Sequence, residues 1–125
     1  MKDAEHTWQE RMAARYPELM DCHPSVHQGW ENILDRMLES IRVQIKQIPD
    51  FPAARISQIK EEFGTLRITH RGGDDTIRGI IIMAESISHR TCEECGCPAT
   101  AKLSFYRGNR DWIRTLCHRC SEALI

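Results

Sequence analysis

The sequence predicts an α+β protein: two to three amphipathic helices and a β-hairpin, followed by a small metal-stapled module at the C-terminal end. Three observations carry this: apolar residues recurring at threes and fours, one alternating stretch bounded by glycines, and two Cys-x-x-Cys pairs in the last third. At 125 residues, with 41% apolar and 28% charged residues, the chain suits one domain that has a real core and still gains from a metal staple. The expected division is a helical and hairpin body over 1–90 and a metal module over 91–125, packed together as one compact domain.

Trp8, Met12 and Tyr16 are spaced as on one helical face and Pro17 stops the pattern, so a first helix is expected over 3–16. A polar, turn-like stretch, 21–28, follows. Trp30, Ile33, Leu34, Met37, Ile41, Ile45 and Ile48 then mark about five turns of a second helix. Pro49 and Pro52 end it, because proline lacks the amide donor and clashes with the preceding turn. Residues 55–71 read two ways. Ile56, Ile59 and Phe63 suit a helix, whereas Thr65 to His70 alternates like a strand, and the expectation is a hairpin turning near Phe63 and Gly64. Gly72 and Gly73 break the chain. Asp74 or Asp75 can then cap a helix with Ile77, Ile80, Ile81, Ala84 and Ile87 on its apolar face.

The last third holds Cys92-Glu-Glu-Cys95 and Cys117-His-Arg-Cys120, separated by 21 residues. Two thiolates from each tight loop fill the tetrahedron that Zn²⁺ prefers, so these four cysteines are the expected ligands of one structural zinc ion. Gly96 supplies the positive φ that the backbone past the second ligand often needs. Between the pairs, Leu103 to Tyr106 and Trp112 to Leu116 read as short strands, with Gly108-Asn109 as the turn. A short helix over 121–125 makes the module a treble clef, with the second pair at the N-terminus of the helix. Knuckles at both pairs make it a zinc ribbon. Both forms stay open. Cys97 reads as a free thiol near the site, and His118 as an exposed residue inside the second loop.

A site closed by four protein ligands leaves no position for an activated water, so the metal is expected to stabilise and not to catalyse. The other candidates are weaker. Cys22, His23 and His27 have metal-ligand chemistry, but Pro24 interrupts them and no fourth ligand is near. Cys22 beside His23 lacks an orienting acid and an oxyanion donor set. His70 before a helix has no second ligand until His89. The protein is therefore expected to be no enzyme and to take no small-molecule substrate.

A formal net charge of -1 argues against a strongly basic nucleic-acid coat and against binding to an anionic membrane. Met1 to Glu10 is acidic without an apolar stretch, unlike a secretory signal. The longest purely apolar run, Ile80 to Ala84, is far too short to span a bilayer. A cytoplasmic location follows as the expectation, and there thiols stay reduced and bind metal. Arg67 and Arg71 share one strand face, and Tyr106, Arg107, Arg110, Trp112 and Arg114 decorate the metal end. Together they form the candidate partner-binding surface. Its partner is a protein or, as the alternative, DNA or RNA contacted locally by arginines and stacking aromatics. From Ser86 to Ile125, six Lys and Arg against four acids leave +2, which a four-thiolate zinc site offsets by about -2. That balance favours a protein partner.

Gly29-Trp30, Gln58 to Arg67, Ala84-Glu-Ser86, Thr91 to Gly96 and Trp112 to Cys117 together resemble a family of small phage and prophage proteins over residues 28–121. The resemblance brings no activity with it. It implies a mobile-element origin and a zinc site at Cys92, Cys95, Cys117 and Cys120. The function expected from it is a phage-type interaction protein that binds a host protein and inhibits, for instance, a defence or transcription machine. Residues 91–120 are also similar to the zinc finger of the secondary-channel regulators of bacterial RNA polymerase, in the two cysteine pairs alone. The long coiled-coil arm of those regulators has no counterpart across Pro49, Pro52 and the hairpin.

Overall fold

Residues 6–51, 53–99, 101–107 and 110–123 are described by a computed structural model, with the backbone alone for 101–107 and 110–112. The expected turn residues Gly108 and Asn109, together with Pro52, Thr100, residues 1–5 and the last two positions, lie outside the described residues.

The fold is α+β. Helix α1 (Trp8–Arg15) starts later than the spacing suggests, because Thr7 caps it and its hydroxyl accepts from the Glu10 amide at 3.1 Å. Trp8, Met12 and Tyr16 are buried as the fourfold spacing requires. A single 3-10 turn over Gln28–Trp30 leads into α2 (Glu31–Gln47), which buries Leu34, Met37, Leu38 and Ile41. Ile48, expected on this face, is exposed at the C-cap, where the backbone has already become extended.

Strands β1 (Ala54–Glu62) and β2 (Thr65–Gly72) pair antiparallel, with Ile59 opposite Ile68. The turn is the two residues Phe63 and Gly64, with φ of 53° and 78°. Two consecutive positive φ values give the type I′ turn, whose twist matches that of the flanking strands. A bulge lies between Ile56 and Gln58. The extra residue lets Ile56 and Ile59, three apart, both be buried, and this is why β1 has helix-like spacing in the sequence.

Both edges of this hairpin are covered. Residues 19–25 run parallel to β1: Ile56 donates to the Leu19 carbonyl at 2.7 Å, and Asp21 and Ser25 donate to Ile56 and Ile59, each at 2.9 Å. On the β2 side the Leu66 amide donates to Ser88 Oγ at 3.0 Å and the Ile68 amide to Glu85 Oε2 at 2.9 Å. Ser88 and Glu85 belong to α3 (Asp75–Ser88), which Asp74 caps by accepting from the Ile77 amide at 3.0 Å.

Helix α3 buries Ile77, Ile81, Ala84 and Ser88. Ile87, expected on the apolar face, is exposed, and Ile80 is half-buried. The buried stripe faces α2 and the hairpin together, and this leaves Ile87 outward. Residues from α1, α2, the hairpin and α3 form one core around the buried Trp30.

Strands β3 (Ala101–Arg107) and β4 (Arg110–Leu116) make a second antiparallel hairpin, with Phe105 opposite Trp112. Helix α4 (His118–Ala123) follows directly, three residues earlier than expected. Among the described residues, no helix is long and apolar enough to cross a membrane.

Candidate metal centre

The first cysteine loop turns because Gly96 adopts a φ of 82° and its amide donates to the Cys92 carbonyl at 3.0 Å. The next amide, of Cys97, then points at Cys95 Sγ at 3.4 Å. The second pair straddles the start of α4: Cys117 precedes it and Cys120 lies in its first turn, its amide 3.5 Å from Cys117 Sγ. Cys92, Ala99 and Leu116 are buried beneath, with Cys117 and Cys120 packed against them.

The four Sγ atoms of Cys92, Cys95, Cys117 and Cys120 all lie within 4.8 Å of one another, and Cys95 and Cys117 are 3.6 Å apart. Sulfurs bound about 2.3 Å from one tetrahedral ion stand about 3.8 Å apart, so the cluster can hold a metal ion. The thiols differ before any ion binds. The Cys97 amide donating to Cys95 lowers the Cys95 pKa, whereas burial raises that of Cys120. Cys97 is exposed and outside the cluster, and its hydrogen bond to Cys95 raises its pKa.

The first loop is seated on the body through its backbone carbonyls. Gly29 donates to the Glu93 carbonyl at 2.7 Å and Trp30 Nε1 to the Thr91 carbonyl at 3.0 Å. A Cβ on Gly29 would lie 2.2 Å from the Cys92 carbonyl oxygen, so only glycine allows this approach. At the other end, Thr115 Oγ1 donates to the carbonyl of Gly64 in the first hairpin's turn at 2.6 Å.

Glu93 ties the loop to β4. Its amide donates to the Thr115 carbonyl at 2.9 Å, its Oε2 accepts from the Thr115 amide at 2.7 Å, and its Oε1 lies 3.4 Å from Arg114 Nε. Burial raises the Glu93 pKa, against the opposing pull of the Thr115 amide and Arg114. Arg114 Nη2 also donates to Glu94 Oε1 at 2.6 Å. Sequence reasoning placed Arg114 on the partner surface, but its side chain is buried and ion-paired beside the cysteines.

Of the remaining surface candidates, Arg67 is exposed and Arg71 is paired with Asp21 at 2.9 Å. Tyr106, Arg107, Arg110 and Trp112 lie on β3 and β4, with side chains outside the described residues. Cys22 packs against the main core, His23 is exposed, and His27 pairs with Glu94 at 3.2 Å. Among the described residues, the four-cysteine group is the one candidate metal cluster. His118 is exposed and pairs with Glu122 at 3.0 Å. The roles of Glu93, Glu94 and Thr115 were missed, although the two glutamates sit inside the motif itself.

No protein-family model matches the chain, and neither a curated protein nor a solved structure shows significant similarity to it.

Proposed function

We propose that the chain is a non-enzymatic interaction protein of phage type, stabilised by one structural Zn²⁺, that works by binding a host protein in the cytoplasm and inhibiting it. The observation that supports the structural, non-catalytic zinc is the closed donor set: four thiols converge on one point and match the number of positions around a tetrahedral zinc ion. Such an ion has no position left for substrate or water. The order of cysteine loop, hairpin and short helix with the second pair at its start supports a treble-clef form over a ribbon. There the N-terminal amides of α4 favour thiolate.

A protein partner is preferred to nucleic acid on charge. The net charge is -1, Arg71 is paired with Asp21, and Arg114 is withdrawn into the ion pair with Glu93. Phosphate recognition draws on exposed, unneutralised cations. Phage origin and the inhibitory role rest on the sequence resemblance.

The test is capture of partners from a bacterial lysate by the tagged, zinc-loaded chain, with and without nuclease and over a range of salt. A stoichiometric protein that survives nuclease and is lost with the Cys92→Ser variant supports the reading. Retained nucleic acid that disappears with nuclease and moderate salt overturns it.

A further inference from the structure

Helix α3 leaves an apolar stripe uncovered. Met83 and Ile87 are 61% and 47% exposed, and Ile80, three and seven residues before them on the same face, is half-buried. Met83, Ile80 and Ile87 also line a groove of about 570 Å³ against Ile33 and Met37 of α2. Single exposed apolar residues are ordinary, but a contiguous stripe along one helix marks a contact surface.

The stripe is self-complementary about Met83. Gly79 and Ile87 lie four residues to either side, and a Cβ on Gly79 would meet nothing within 4 Å, so Gly79 leaves open space on the face and Ile87 projects from it. Charge follows the same symmetry. Asp75, in the first turn, lies about 12 Å along the axis before Met83, and Arg90, just past the last turn, about 10 Å after it. Both are exposed.

We infer that this face is covered by a second copy of the chain, two α3 helices packing antiparallel across a two-fold axis at Met83. Each Ile87 then sits over the partner copy's Gly79, and each Asp75 beside the partner copy's Arg90, as an isologous contact demands. A parallel arrangement would set Asp75 against Asp75 and Arg90 against Arg90. This dimer goes beyond the proposed function and uses residues outside the cysteine module.

Sedimentation equilibrium on the full zinc-loaded chain reads the assembly directly. The expected result is a dimer that Met83→Lys converts to monomer. Asp75→Arg and Arg90→Asp each weaken the dimer about tenfold at low salt, and an equimolar mixture of the two restores it, because only the mixed pair regains opposite charges. Unchanged zinc content and an unchanged circular-dichroism spectrum in Met83→Lys show that the exposed substitution leaves the fold intact, while its melting temperature should lose the concentration dependence that a dimer has. A wild-type chain that stays monomeric to its solubility limit overturns the inference and leaves the face to another protein. A dimer indifferent to Met83→Lys, or charge variants that the mixture does not rescue, overturns it as well.

Discussion

Glu93, inside the first Cys-x-x-Cys loop, is ion-paired with Arg114 of β4, and both side chains are 2% exposed. The pair joins the two halves of the cysteine cluster independently of any ion: Cys92 and Cys95 flank Glu93 and Glu94, while Arg114 lies three residues before Cys117. Arg114→Met keeps the unbranched stem as far as the Nε position, removes the guanidinium and leaves Glu93 buried without its cation. Breaking such a pair costs about 3–5 kcal/mol, so urea denaturation should show a loss of that order. A loss under about 1 kcal/mol would mean that the Thr115 amide satisfies Glu93 alone.

The cysteines divide cleanly. Cys92→Ser, Cys95→Ser, Cys117→Ser and Cys120→Ser should each abolish stoichiometric zinc and unfold the region from 91 onward, whereas Cys97→Ser should retain one zinc per chain. Metal analysis with hydrogen exchange reads both outcomes. Because the ligands bind as thiolates, zinc should be released as pH falls.

Phe63 is a non-glycine residue at positive φ and is 67% exposed, so it is strained without packing in return. Asparagine tolerates this conformation and is favoured ahead of glycine in a type I′ turn. Phe63→Asn should therefore stabilise the protein by about 1 kcal/mol, seen as a higher melting temperature. Destabilisation would show that Phe63 has a contact that compensates for its strain.

Tyr16 is buried and donates to Asp35 Oδ1 at 2.9 Å, with the Arg42 guanidinium 4.4 Å above its ring. Burial, then the bond to Asp35, raises its pKa from 10.0 to about 12. The folded state therefore holds a proton that the unfolded chain releases first. The associated stability is complete below pH 10 and lost as pH rises toward 12. Tyr16→Phe should remove this part of the alkaline decline in stability, measured by urea denaturation from pH 8 upward. An unchanged decline would show that Tyr16 titrates at its ordinary value.

Three helices and the cysteine cluster were legible because each rests on local chemistry: Trp8, Met12 and Tyr16 on one face, Trp30 to Ile45 at threes and fours, Asp74 at a cap, cysteines in pairs. Residues 55–71 were legible through Gly64, while Ile56 and Ile59 misled, since a bulge gives a strand the spacing of a helix. Ile87 and Ile48 misled in another way, because periodicity reports an apolar face without saying how much of it finds a neighbour. Arg114 was misplaced because its partners lie about twenty residues away, in a motif otherwise explained by its cysteines. The place of Gly29 under Glu93 depends on tertiary contact alone.

The amides of Leu66 and Ile68 end on α3, at Ser88 and Glu85, and the far edge of β1 is taken by residues 19–25. A strand arriving from outside finds the donors at these positions already engaged. The first hairpin is thereby protected at these positions from templating cross-β stacking, and a partner cannot be recruited there by adding a strand. Recognition along these two covered edges therefore falls to side chains.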